Sequence, residues 1–438
     1  MPLRNLLIPL ACAALPAAAL PLAARAADPT HALYAALAGA KGGERIELPG
    51  GTYEGFFLGK STPFDIRFPQ TVTIASADPA NPAVFTDMDL RGVANLAIED
   101  VVFDYTWRPG AKLSQRAFTL SDCQNVAIRN ALFDGDLIRG QGPRDDGLAT
   151  AVAISIRGCD GAVFENNRIE RFFRGLVMSG GSGNVVAGNE LRQLRMDGMN
   201  FAQVEDVLIE GNYIHDFARS AVKEEHADMI QFWTNNTSAP SRGITIRNNV
   251  LLAGEGDATQ SIFMRNDLVD RGKAGREMFY RDVLIEGNVI VNGHLHGISV
   301  GETDGLTIRN NTVLRGERFA AAGDRRDRSV TIPQINVNEA ATRVTVTGNL
   351  AGGLPPGRPG WTVQGNMLVQ NVSPTRPGYY HTVFVDAILG DPRVLDSFAY
   401  RPGGPADAAG IGSPLLAPGG DRARYRPRPR AAGLRRWR

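Results

Sequence analysis

The nine residues Lys223-Glu224-Glu225-His226-Ala227-Asp228-Met229-Ile230-Gln231 carry six polar functional side chains. Four of the six histidines of the chain are His215, His226, His294 and His296. Imidazoles take up and release protons near neutral pH, and a lysine or carboxyl group does the same when its surroundings shift its pKa. Arginine meets a carboxylate bidentately, an amide can share that task, and an indole can stack on a sugar ring. Together these residue types point to proton transfer on a sugar acid. The C5 proton of a uronate is abstracted while its carboxylate is neutralised. His226, His296, Lys223 and Asp228 are the candidates for base and acid, and Arg265, helped by Gln231, for the neutralising group. Asp197, Asn200, Gln231, Trp233, Asp267 and His294 are the candidates for holding the substrate.

For residues spread from 197 to 296 to act together, the fold must lay distant segments side by side, and a repeat provides for this. Phe164-Glu-Asn-Asn167, Val186-Ala-Gly-Asn189, Ile209-Glu-Gly-Asn212, Ile246-Arg-Asn-Asn249, Ile285-Glu-Gly-Asn288, Ile308-Arg-Asn-Asn311, Val346-Thr-Gly-Asn349 and Val363-Gln-Gly-Asn366 are versions of one phrase. The last Asn returns after 22, 23, 37, 39, 23, 38 and 17 residues. Alternating apolar residues mark strands, and a β period of about 20 to 25 residues marks a solenoid. Propeller blades need four strands in about 40 residues, more than the short gaps allow. The expected fold is all-β: a single-stranded right-handed parallel β-helix with a short N-terminal capping helix. The final Asn residues should stack in a ladder. Longer gaps are coils with inserted loops, at Arg219 to Ala227, Leu268 to Tyr280 and Arg315 to Ser329, and these should border a groove.

Apolar positions set the register. Met199, Ile230, Ile262 and Ile298 form one inward column, and Phe201, Phe232, Met264 and Val300 the next. Asn200, Gln231, Phe263 and Ser299 then point outward, followed by Ala202, Trp233, Arg265 and Gly301. Asp197, Asp228, Gln260 and His296 share a level just before them, and Arg195, His226, Ala258 and His294 share the level before that. Strict alternation would aim both of these levels inward. Turning them out requires a bend, for which Gly198 and Gly297 are suited.

The opening Ile46-Glu-Leu48-Pro-Gly-Gly-Thr-Tyr53 resembles the phrase that follows a short helix in the pectin-lyase-like superfamily, and the resemblance extends over roughly residues 29 to 415. His296-Gly-Ile-Ser-Val-Gly301 resembles a phrase of the polygalacturonase family, which implies that His296 lies in the groove. That family's paired Asp-Asp and its Arg-Ile-Lys phrase are absent here. The resemblance therefore implies where the groove lies more than it implies hydrolysis. A lyase or uronate epimerase is the first reading. An inverting glycoside hydrolase using Asp197, Asp228 or Asp267, and a non-catalytic carbohydrate-binding or adhesin β-helix, are the alternatives. Ca²⁺ is a candidate cofactor through Asp228, Glu224, Glu225 and Asp267. No ligand spacing supports zinc.

Residues 1–26 read as a secretory signal, with Arg4, an apolar run from Leu6 to Leu22 and Ala24-Arg-Ala26, so a periplasmic or secreted protein is expected. The remaining divisions are a cap over 27–50, with a helix near His31 to Ala40, the β-helix over 51–415, and a basic, disordered tail over 416–438. The net charge of +1 gives no reason to expect nucleic acid as a partner. An anionic polysaccharide or oligosaccharide, no integral membrane segment and a monomer are expected. Cys123 and Cys159 occupy matching places in neighbouring coils, as a disulfide or as stacked free thiols.

Overall fold

The computed structural model describes residues 29–220, 222, 225–319 and 332–426. Within them the chain winds through three parallel sheets in turn. Sheet A has 12 strands, from Arg45–Leu48 to Thr362–Gln364, and sheet B has 12, from Gly51–Tyr53 to Met367–Leu368. Sheet C has 10, from Phe56–Leu58 to Gln334–Val337. Each strand pairs with its counterpart one coil earlier and one coil later, so the molecule is a parallel β-helix. A helix at Pro29–Gly39 buries Leu33 and Leu37 against the first coil and covers its open end.

The repeated phrase works as its residue types require. The residue before each ladder Asn has a positive φ, for example Asn166 (56°), Gly211 (64°) and Asn248 (53°). This is the left-handed region that Gly and Asn enter at least cost. The chain then turns from sheet A into sheet B, and the following Asn points into the stack. Asn167 Nδ2 donates to Asn189 Oδ1 (3.1 Å), Asn189 to Asn212 (2.9 Å) and Asn212 to Asn249 (2.9 Å). The ladder continues through Asn288, Asn311 and Asn349 to Asn366. Each amide also bonds backbone groups of adjacent coils, so polar groups buried at the corner are satisfied; an unsatisfied one costs about 1–3 kcal/mol. Inward columns of Phe, Ile and Val fill the rest, including Phe103 and Phe133 stacked at 4.5 Å.

The strands stop at Leu368, so coils do not continue to residue 415. Residues 370–426 instead fold back over the outside of sheet B. That outer face is apolar there, with Tyr213, Val250, Leu252, Val291 and Leu350, and it is covered by Tyr380, Phe384, Phe398, Tyr400 and Leu416. The start of the basic tail belongs to this cover. Tyr425 is buried and its hydroxyl donates to the Asn248 carbonyl. Residues 427–438 lie outside the described residues, as do 1–28. Cys123 and Cys159 are buried free thiols, with the Cys123 amide 3.4 Å from Cys159 Sγ.

Candidate functional site

The register of sheet C is the expected one. Met199 pairs with Ile230, Asn200 with Gln231 and Phe201 with Phe232, and the columns run on through Ile262, Phe263 and Met264 to Ile298, Ser299 and Val300. The bend also exists. Met229 and Ile230, consecutive in sequence, are both buried in the core, so alternation breaks and Asp228 is turned outward. One coil earlier the same position is Gly198, where a Cβ would lie 2.4 Å from the Met229 carbonyl oxygen. Only glycine fits beneath that backbone.

Outside the bend, five side chains from three coils form one polar cluster. Arg174 Nε lies 2.9 Å from Asp197 Oδ2. Asn200 Nδ2 donates to Asp197 Oδ2 (3.1 Å) and to Gln231 Oε1 (2.9 Å), and Gln231 Nε2 donates to Asp228 Oδ2 (2.8 Å). The Asp228 amide donates to Asp197 Oδ1 (3.2 Å). Asp197 and Asp228 are 1% and 0% exposed. Burial pushes both carboxyls up, and at Asp228 the neighbouring Asp197 pushes further in the same direction while Arg174 opposes. Asp228 is raised well above the usual carboxylate range. Its Oδ1 is buried with no hydrogen-bond partner.

A second group occupies the next coils of the same face. His296 and Phe263 lie with ring centroids 4.8 Å apart, and His294 lies 5.3 Å beyond. His296 Nδ1 is 2.7 Å from Ser299 Oγ, which also accepts from Asn336 Nδ2 (3.3 Å). Burial lowers the His296 pKa, so this imidazole is neutral at neutral pH. Phe263, His296, Gln231 and Asn336 are only partly buried and together form a shelf open to a ligand.

The family described as "Right handed beta helix region" matches residues 116–313, the span that builds this face. The chain has the fold of a right-handed parallel β-helix. Among solved structures it is similar to the Dettilon tailspike protein (gp208), at 14% identity and a TM-score of 0.51 over 77% of this chain. This chain spans 62% of that tailspike chain. It is also similar to PfbA, a surface adhesin of Streptococcus pneumoniae, at 14% identity and a TM-score of 0.41, with 78% of this chain and 89% of that chain covered. A third similar structure is the catalytic domain of a GH87 α-1,3-glucanase, at 13% identity and a TM-score of 0.34, with 78% and 68% covered. At these identities the likeness is one of fold. No curated protein matches the sequence.

The β-helix gathers some of the sequence-predicted residues and separates others. Asp197, Asn200, Asp228 and Gln231 are one hydrogen-bonded unit, and His294 and His296 are another. Arg265 joins neither. Its Nε bonds Asp270 Oδ2 (2.8 Å) and approaches Asp267 (3.7 Å), which Arg271 also reaches at 3.4 Å. Two and five residues downstream, a one-turn helix at Asp267–Asp270 supplies carboxylates that neutralise Arg265 locally. This corrects the expectation that Arg265 meets the histidines and Asp228. Asp267 is bound into the same ion cluster, and Trp233 is half-buried. Arg195 does not face the groove either; it is fully buried, with Glu225 and Asp145 at 2.8 and 2.5 Å. His226 is exposed. His215 stands on sheet B between Glu190 and Asp216. Lys223 and Glu224 lie outside the described residues. Glu225, Asp228 and Asp267 are held in three different clusters, so the oxygen set considered for Ca²⁺ is dispersed, and no metal-holding group of three His, Cys, Asp or Glu occurs among the described residues. Nor is any helix there long and apolar enough to cross a membrane. Sequence reasoning missed Arg174, although the register that placed Asp197 puts Arg174 opposite it one coil earlier.

Proposed function

We propose that this β-helix binds an acidic polysaccharide along the outer face of sheet C and acts on it by proton abstraction, as a lyase or uronate epimerase. The observation that carries the reading is the neutral His296 imidazole, held by Ser299 at the edge of an accessible aromatic shelf. In the tautomer that carries its proton on Nδ1, Ser299 Oγ accepts that proton and Nε2 is the basic nitrogen. Gln231 and Asn336 on either side can meet a carboxylate, and Arg174 supplies positive charge at the end of the same row. Inverting hydrolysis needs two carboxyls about 6.5–9.5 Å apart with a water between them. Asp197 and Asp228 stand on neighbouring coils with backbones about 4.8 Å apart and present almost no surface. The apolar N-terminal run supports export to where such polymers lie.

The test is incubation with alginate, polygalacturonate and hyaluronate. Ultraviolet absorbance reports an unsaturated product, and proton NMR reports inversion at C5. Turnover should fall as pH drops through the imidazole pKa, which lies below the ordinary 6.5. His296→Ala should abolish turnover and leave polymer binding nearly unchanged. New reducing ends without either uronate product, or binding with no reaction on any acidic polymer, would overturn the proposal.

A further inference from the structure

We infer that sheet C carries a separate anion-holding subsite, formed by Arg116, Arg157 and Arg174, that grips acid groups of the polymer several sugar units from the reacting one. The inference rests on the acidic-polymer reading given above. Arg116 is bridged to Val152, and Val152 pairs in parallel register with Arg174. Arg116 and Arg174 therefore stand on one level, two coils or about 10 Å apart. Arg157 ends the strand of the coil between them and pairs with Ser121 and Ser179. From Arg174 the same level continues through Asp197, Asp228 and Gln260 to His296. These four coil steps, about 19 Å, put Arg116 and Arg174 in line with the aromatic shelf, and Arg157 lies five residues further along its strand.

The arginines are poorly neutralised where they stand. Arg116 and Arg157 are exposed, and among the described residues neither forms an ion pair. Arg174 has Asp197, a carboxyl that burial pushes toward its neutral form. The Arg174 guanidinium is held in place over the Phe173 ring, 5.6 Å from its centroid. Of the carboxylates on this part of the face, Asp89 is taken by Arg91 and Thr119, and Asp122 lies in the turn beyond Ser121. The outward residues between the arginines are Thr119, Ser155 and Val177, which carry no charge. The charges feel one another: burial first, then Arg157 and Arg174, hold the Arg116 pKa below its ordinary value. Like charges kept this close cost free energy that a bound anion recovers. A planar fork of donors matches a carboxylate or a sulfate, the acid groups of such polymers.

The test compares the wild-type chain with an Arg116→Gln/Arg157→Gln variant. Binding of alginate and polygalacturonate is measured calorimetrically at low and high salt, with dextran as the uncharged control. Both side chains are on the surface, and an Arg116→Lys/Arg157→Lys variant keeps the charge in case the Gln variant folds poorly. The Gln variant should bind the acidic polymers at least about tenfold more weakly and lose most of the salt dependence. KM should rise while kcat at saturation stays unchanged, and the Lys variant should recover much of the affinity. Equal affinity and salt dependence in wild type and Gln variant would refute the subsite and leave the acidic-polymer reading standing. A wild type that binds neither acidic polymer, or binds dextran equally well, would overturn both.

Discussion

Asp228 sits without exposure beside a second carboxyl, and its folded-state pKa is raised well above the ordinary value. In the unfolded chain that carboxyl titrates near 3.9. Between the two values the folded protein keeps a proton that the unfolded chain has released, so stability falls as pH rises. The slope is about 1.4 kcal/mol per pH unit, ending where the folded-state group finally ionises. Below about 3.9 both states hold the proton and the penalty is absent. Asparagine in its place has nearly the same shape, still offers an oxygen to Gln231 Nε2, and has no proton to lose. The stability of Asp228→Asn relative to wild type should therefore be flat in acid. It should then climb by about 1.4 kcal/mol per unit from near pH 4 before levelling off. Asp197 titrates in both proteins and cancels to first order. Urea unfolding of the pair from about pH 3.5 to about pH 8, spanning the carboxylate range and neutrality, measures the difference directly. A difference that does not change with pH would show that Asp228 is ionised in the fold and would refute the reasoning.

Two further outcomes follow from the geometry. Asn249→Ala removes two donated and two accepted hydrogen bonds at 2.9 to 3.0 Å and leaves the Asn212 amide and the Ile209 carbonyl of the preceding coil unmatched, so chemical denaturation should show a loss of about 3 kcal/mol or more. Asn366→Ala, at the solvent-reached end of the ladder, should cost only about 1 kcal/mol, and equal losses would count against the ladder as a buried network. Arg265→Ala should leave kcat within about twofold and stability within about 0.5 kcal/mol, because a half-exposed ion cluster is worth little. A tenfold fall in kcat would return Arg265 to the chemistry.

Much of the architecture was legible in the sequence because a parallel stack repeats its demands. A corner that turns through a left-handed residue to an inward amide spells Gly-Asn or Asn-Asn, and it does so on eight of the coils. The same regularity made the sheet C columns countable, from Met199 and Ile230 to Ile298, and placed Asp197 with Asp228. What failed was local or distant. Arg265 was misassigned because a single helical turn carrying Asp267 and Asp270 has no periodic signature, yet it decides which charge the arginine meets. Arg195 was counted on an outward level, but Glu225 and Asp145 enclose it from loops that register does not govern. Residues 370–415 carry no corner phrase, and their apolar spacing fits no regular element because the surface they match is sheet B, whose strands lie elsewhere in the sequence, as far back as Tyr213, 180 residues before its partner Arg393.

That returning segment alters how the stack comes apart. Coils that touch only their neighbours can peel from an end one at a time. Here Tyr400 is bonded to Thr312, Ser413 to Gly287, and Tyr425 to Asn248. The last coils are lashed to ones well inside the rod, and none of them can detach until the whole strap lifts. The C-terminal half should therefore melt as one cooperative block, and sheet C with its shelf of aromatic and amide side chains should keep its spacing until that block gives way.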